Sequence, residues 1–387
     1  MNILFVHHDT CLYGASQSLL ALVEGLRSRG HTCTVLLPQA GPLVQELEAR
    51  DVAHDVIAWQ SWTSCERQWF PRRLASGLRR LHRNRRIVDA AARQCAKRQP
   101  DLIHTNSSKT PFGALLARRM GLPHTWHFRE FLGGPYSVGQ VFSLGRRISC
   151  ELIRAWSSAL VVISHSLRRQ FDSVAGRIPI HVVYNGVMSQ SDVRQCCHTP
   201  WPDGDTLILA LVGRFEAWKH PLVALEAMRI LKDQHEKVRL LVAGSGEEAE
   251  VQEVRGFVNR HALHDTVELL GFVKGVKTVF VRCHALLMCS TGDAFGRVTA
   301  EAMAYGRPVI GADAGATSEL VQDGADGLLF RAGDSVDLAG KIRLLAHDRH
   351  LLAGLGENAV RKAHQEFTVE KYAESMERIF LSFTGGC

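Results

Sequence analysis

The chain has 387 residues, of which 46% are hydrophobic and 22% charged; that is more than one core usually serves, so two globular domains are expected. No apolar run approaches the roughly 20 residues a membrane span needs, and the opening MNILFVHHD is too short an apolar stretch for a signal peptide, so a cytosolic protein is expected. The net charge of +7 is uneven: residues 1 to 186 carry 24 Lys and Arg against 12 Asp and Glu, whereas residues 187 to 387 carry 22 against 27.

Short β-type runs alternate with amphipathic helical stretches, the pattern of parallel α/β sheets. NILFVHH reads as a buried first strand, SLLALVEGLRSRG as a helix ending at Gly30, and TCTVLLP as the second strand. DLIHTNSS, HTWHF, ALVVIS and IHVVYNG repeat the theme, each followed by polar or small residues. After Val187 the polar, proline-containing MSQSDVRQCCHTPWPDGDT lacks periodicity and reads as a linker. The pattern restarts with TLILALVGRF, VRLLVAG, VELLGFV, ALLMCS, RPVIGAD and GLLF, and the final FTVEKYAESMERIFLSF reads as a helix. The expected organisation is therefore a domain over 1–186, a linker over 187–204, a second domain over 205–366 and a helical segment over 367–387. Ligands of doubly wound sheets bind beyond the carboxyl ends of the strands, which makes a cleft between the two domains the expected site. Ten cysteines are scattered with only Cys196 and Cys197 adjacent and no Cys-x-x-Cys, which fits reduced thiols better than disulfides or zinc.

In the second domain VGRFEAWKH puts Arg214 just past the first strand and Lys219 five residues later, before the helix that Pro221 begins. Two cations there suit a diphosphate, because Arg offers a planar fork of donors and Lys a mobile point charge; two solvated loop charges are the plain alternative. STGDAFGRVTAEAMAYGRPVI sits at the carboxyl end of another strand. Gly292 and Gly296 allow close backbone approach, and the amides opening the helix near Phe295 form an anion site. Asp293 in the turn can face a polyhydroxylated ligand, and Glu301, about two turns along the helix, another part of it. A capping aspartate and an exposed helix carboxylate are the plain alternatives.

Together these segments resemble glycosyltransferase family 4, retaining enzymes of GT-B fold that use nucleotide-diphosphate sugars. The resemblance is dense over residues 205 to 330 and looser over the first domain. Its most specific element is the Glu-x7-Glu motif, here Asp293 to Glu301, with GRF and Lys219, VAGSGEE, LLGFV and GATSELVQDGADGLLF in the family order. It implies an α/β protein of two Rossmann-like doubly wound domains facing a central cleft, with the C-terminal helix crossing back to the N-terminal domain. By the same resemblance Glu301 binds the ribose hydroxyls of a UDP- or GDP-type nucleotide sugar, Asp293 touches the transferred sugar, Arg214 and Lys219 hold the diphosphate, and backbone around Gly271 and Phe272 meets the base. The resemblance also implies that a loop at Gly14 and Ala15, one glycine short of the family's pair, approaches the phosphate or sugar, an ordinary strand-to-helix loop capped by Ser16 being the plain alternative, and that His127 lies near the sugar. The first motif position is usually Glu, so the shorter Asp293 bears on donor identity.

The resemblance further implies no cofactor and no metal; the one Asp-x-Asp, Asp203 to Asp205, falls in the expected linker, where Asp-Gly signals a turn. Catalysis then needs preorganised positive potential at the departing phosphate, supplied by Arg214 and Lys219, with retention following from the family alone. The basic stretch over 67–98, with Trp69 and Phe70 at its start, reads either as a solvated helix face or as a surface for anionic lipid headgroups. It favours a lipid-linked or anionic sugar acceptor and peripheral membrane contact; nucleic acid is disfavoured because aromatics do not alternate with the basic residues. Three other readings stand beside this one. A sugar phosphorylase or nucleotide-sugar epimerase shares the architecture, and a non-catalytic nucleotide-sugar binder fits the altered motif. A dehydrogenase is suggested by the Gly-x-Gly-x-x-Ala of AGSGEEA, but it follows the second strand of its domain, and Glu268 begins a strand where the ribose-binding acid should end one.

Overall fold

The computed structural model describes residues 1–133, 139–172 and 178–384. The chain divides into two compact units, residues Met1–Gly186 with Val369–Cys387, and residues Val187–Thr368.

Unit 1 runs β1 (Asn2–Val6), α1 (Gly14–Ser28), β2 (Thr32–Leu37), α2 (Pro42–Ala49), β3 (Ala53–Val56), β4 (Thr63–Cys65), α3 (Phe70–Ala96), β5 (Leu102–Thr105), α4 (Phe112–Met120), β6 (His124–Phe128), β7 (Gln140–Phe142), α5 (Arg146–Trp156), β8 (Ala159–Val162), α6 (His165–Arg168) and β9 (Ile180–Val182). Its main sheet has the order β3-β2-β1-β5-β6-β8-β9 with every described pairing parallel. The strands are apolar nearly end to end because helices cover both faces, as at Ile3, Leu4, Phe5 and Val6 in β1. A short antiparallel pair, β4 with β7, went unread in the sequence because each strand is only three residues long.

Unit 2 runs α7 (Gln190–Cys196), β10 (Leu207–Val212), α8 (Pro221–Asp233), β11 (Val238–Ala243), α9 (Glu248–Arg260), β12 (Val267–Gly271), α10 (Lys277–Phe280), β13 (Ala285–Met288), α11 (Arg297–Ala304), β14 (Val309–Ala312), α12 (Thr317–Leu320), β15 (Gly327–Phe330), α13 (Ser335–His347) and α14 (Arg349–Glu366). Its parallel sheet has the order β12-β11-β10-β13-β14-β15. The final helix α15 (Val369–Thr384) belongs to unit 1, where Tyr372, Ala373, Met376, Ile379 and Phe380 join the core formed with α1 and β1. Gly25 of α1 makes that contact close: a Cβ there would lie 2.7 Å from the Ala373 Cβ. Residues 385–387, the end of the expected C-terminal segment, lie outside the described residues.

The segment 187–204 is not a free linker. It contains α7, capped by the Ser189 hydroxyl, and Trp201 packs against the unit 2 core. The fully buried Arg307 donates to the carbonyls of Pro200 at 2.9 Å, Thr199 at 3.3 Å and Phe280 at 2.9 Å. Local composition predicted a linker; backbone carbonyls satisfied from 107 residues away made it part of a domain.

These topologies place the sites. In each sheet the strand order reverses beside the first strand, at β1/β5 in unit 1 and at β10/β13 in unit 2, and in open α/β sheets such switch points open a crevice at the carboxyl edge.

Candidate active site

At the switch point of unit 2, β10 delivers Gly213, Arg214 and Phe215, and β13 delivers the loop that holds Asp293. The Lys219 ammonium donates to both Asp293 carboxylate oxygens, at 2.7 and 2.8 Å, and lies 4.4 Å from the Trp218 ring centre. Arg214 Nε stands 3.1 Å from Glu216 Oε1. Both expected diphosphate ligands are thus present at one sheet edge, and both lie beside carboxylates of their own unit. Gly213, Arg214, Phe215, Lys219 and Pro221 line a small pocket there with Cys289.

The loops around the pair are fixed by backbone. Thr291 N donates to Trp218 O at 3.1 Å, Ala316 N donates to Asp293 O at 3.0 Å, and the His220 imidazole meets the Thr291 hydroxyl at 3.0 Å. His220 adopts φ 48°, a left-handed conformation uncommon outside glycine, and Gly315 at φ 58° sits where a Cβ would come 3.0 Å from Asp293 O. Gly296 at φ 80° opens α11, which no side chain caps. From the first position of the helix, Arg297 donates to Glu301, one turn further on, at 3.0 Å. Burial raises the Glu301 carboxyl above the ordinary glutamate range, against the pull of the Arg297 charge and hydrogen bond. At the end of β12, Gly271 has φ 66° with open space beside it, and Phe272 is 78% exposed. Phe295, where helix-opening amides were expected to form an anion site, has its ring buried edge-on against Phe367, centroids 5.9 Å apart.

The Gly-x-Gly-x-x-Ala run serves packing. A Cβ on Gly244 would meet Gly213 O at 1.9 Å and one on Gly246 would meet Phe215 O at 2.9 Å, while Phe215 N donates to Ser245 O. Glu247 and Glu250 form a reciprocal capping box that fills the start of α9 with the chain's own carboxylates, and Glu268 pairs with Arg282. A dinucleotide phosphate has no vacant helix start there.

In unit 1 the β1/β5 edge carries a directed hydrogen-bond chain that sequence reasoning missed. The guanidinium of Arg129, 8% exposed, donates to Asn106 Oδ1 at 2.8 Å, Asn185 Oδ1 at 2.5 Å, the Tyr372 hydroxyl at 2.5 Å and His127 Nδ1 at 3.2 Å. Since guanidinium only donates, Asn106 is oriented to donate onward to His7 Nδ1 at 3.0 Å; His7 then meets Ser16, which donates to Cys11 O. Ser16 thereby ties down the loop into α1 rather than capping the helix, whose Gly14 and Ala15 start is uncapped. The signal for Arg129 was its place just past the wholly buried HTWHF. Glu130 does not pair with it but accepts from Ser107 and Ser108.

His127, expected near the sugar, is fully buried, edge-on to His104 and Tyr372. Strand alternation puts it on the β6 face that α15 covers. Burial holds its imidazole well below the ordinary range, and the Arg129 charge adds to this. With Nδ1 accepting from Arg129, the ring proton lies on Nε2, a buried nitrogen for which the structure shows no hydrogen-bond partner.

Two parallel α/β sheets, each with a switch point beside its first strand, give the chain the two Rossmann-like domains of the GT-B fold class. Residues 13–190 match Glycosyltransferase Family 4 and residues 200–362 match Glycosyl transferases group 1, so the chain belongs to this glycosyltransferase family. It is 28% identical to the phosphatidyl-myo-inositol mannosyltransferase of Mycobacterium leprae, over 90% of this chain and 88% of that one. It is 27% identical to the N-acetyl-alpha-D-glucosaminyl L-malate synthase of Bacillus anthracis, over 69% of each. Among solved structures it is similar to Anabaena HepE in complex with UDP, with a TM-score of 0.78 and 24% identity over 99% of this chain and 100% of that chain.

Proposed function

We propose that the protein transfers a sugar, with retention, from a nucleoside-diphosphate sugar of UDP or GDP type to an acceptor hydroxyl. The observation that carries the reading is the gathering of Lys219, Arg214, Asp293 and the Gly296–Glu301 helix start at one switch point. The solved HepE complexes with UDP and UDP-glucose favour a uridine nucleotide. In this reading Glu301 takes the ribose hydroxyls, Phe272 and the Gly271 backbone the base, and Asp293 the sugar. Arg214 and Lys219 stabilise the charge that grows as the bond from anomeric carbon to phosphate oxygen breaks. The acceptor oxygen bonds to that carbon on the face the diphosphate leaves, and its proton passes to a phosphate oxygen; His127, buried and neutral, takes no part in proton transfer. The positive potential comes from side chains, so chelation with EDTA is expected to leave turnover unchanged.

Unit 1 is assigned the acceptor, a lipid-linked or otherwise anionic sugar-containing molecule, as the glycolipid-acting relative suggests. Its α3 exposes Arg72, Arg79, Arg83, Arg85 and Arg86 behind Trp69 and Phe70, which are 69% and 45% exposed. Peripheral contact with an anionic membrane follows from charges worth about 1 kcal/mol each near such a surface. No helix among the described residues is long and apolar enough to cross a membrane.

The test is a panel of nucleotide sugars scored for thermal stabilisation and nucleoside diphosphate release, with Glu301→Ala and Lys219→Ala as controls. Release that both variants reduce at least tenfold supports the reading; variants equal to the parent refute it. Phosphate-dependent release of sugar phosphate, without nucleotide turnover, would favour the phosphorylase alternative.

A further inference from the structure

Lys219 and Asp293 have been assigned to two different parts of one donor, yet in the structure they hold each other. The ammonium meets both carboxylate oxygens and lies against the Trp218 ring, with side-chain exposures of 21% and 12% for Lys219 and Asp293. Asp293 cannot drift away cheaply, because its carbonyl is pinned by Ala316 N and its loop by Thr291 N on Trp218 O. Any diphosphate that takes Lys219 must therefore displace, or sit beside, a carboxylate held in place.

We infer that Asp293 discriminates the intact nucleotide sugar from the bare nucleoside diphosphate by competing with phosphate for Lys219. The inference rests on the proposed donor site. A nucleotide sugar that takes Lys219 returns a partner to Asp293, since sugar hydroxyls can donate to the freed carboxylate. A nucleoside diphosphate takes Lys219 and gives Asp293 nothing, leaving a partly buried anion beside another. The pair thus weakens binding of the product more than of the donor, and the loss of the sugar at each turnover lets Asp293 reclaim Lys219 and expel the leaving group. This is specificity through a repulsive element, switched off only by the correct ligand. The shorter aspartate serves it, keeping its carboxylate within 2.8 Å of the ammonium on both oxygens.

The consequence has an unusual sign: removing a residue that binds donor should tighten binding of product. UDP and GDP are titrated calorimetrically into the full chain and into Asp293→Asn, Lys219→Ala and the double variant, with thermal melts confirming that each is folded. Asp293→Asn is expected to bind the diphosphate about two- to fivefold more tightly than the parent, the upper range of a partly exposed ion pair. Lys219→Ala binds it weakly, and in that background Asp293→Asn gives little further gain, because the coupling runs through Lys219. The ratio of affinities for nucleotide sugar and nucleoside diphosphate falls in Asp293→Asn. Unchanged or weaker diphosphate binding by Asp293→Asn overturns the inference while leaving the donor site standing. An equal gain in the Lys219→Ala background also overturns it, since simple charge repulsion would then suffice. If the parent binds neither diphosphate, the proposed donor site falls first and the inference with it.

Discussion

Arg129 shows how one residue sets several others. Its fork holds Asn106, Asn185, Tyr372 and His127 at once, a geometry that a lysine point charge cannot copy. Arg129→Lys is expected to lose about 2–4 kcal/mol of stability in urea unfolding, against about 1 kcal/mol for Tyr372→Phe. Nitrogen-15 spectra should show the His127 proton on Nε2 in the parent and a mixture of tautomers in Arg129→Met; a parent proton on Nδ1 would refute the assigned orientation. A residue's place was legible where a motif spelled it out, as for Arg214, Lys219, Asp293 and Glu301, which the structure brings to one switch point. It was not legible where a role depends on partners 56 to 243 residues away, as Asn185 and Tyr372 are from Arg129.

Among the elements, the parallel strands could be read in advance because burial on both faces leaves continuous apolar runs such as LILALV of β10. Helix α7 and the short β4/β7 pair could not, since their stability comes from distant contacts and not from local periodicity. Arg307 makes a distant contact of this kind just after α7, with the carbonyls of Thr199 and Pro200. Arg307→Met is expected to destabilise unit 2 by about 2–4 kcal/mol, because the carbonyls of Thr199, Pro200 and Phe280 lose their donor. The packing of α1 on α15 gives a second check. Gly25→Ala gains helix propensity, about 1 kcal/mol, but forces its Cβ to within 2.7 Å of Ala373. A net loss is expected, partly restored by Ala373→Gly; a gain in denaturation midpoint would contradict the close packing.

Taken over the whole chain, the polar interior of unit 1 couples its stability to pH. His7, His104, His124 and His127 are fully buried there, and burial lowers each one's pKa, that of His124 to about 3. A depressed histidine binds its proton more readily in the unfolded chain, so its contribution is complete above the ordinary histidine range and is lost as pH falls. Each such group removes on the order of 1.4 kcal/mol per pH unit below about 6.5. Unit 1 is therefore expected to open before unit 2 between pH 6 and 4, as read by hydrogen exchange of its strands. Equal protection at pH 7 and pH 4.5 would contradict this. The full chain should also float with vesicles rich in phosphatidylserine, less so in high salt or with Trp69→Ser and Phe70→Ser together, whereas salt-independent flotation would speak against charge as the cause.

The central claim is that the later unit grips the donor's nucleotide, and hydrogen exchange with and without saturating UDP or GDP tests it most directly. New protection over residues 213–220, 271–272 and 291–301, absent in Lys219→Ala, is the predicted result. Protection elsewhere, with those three segments unchanged, would contradict it.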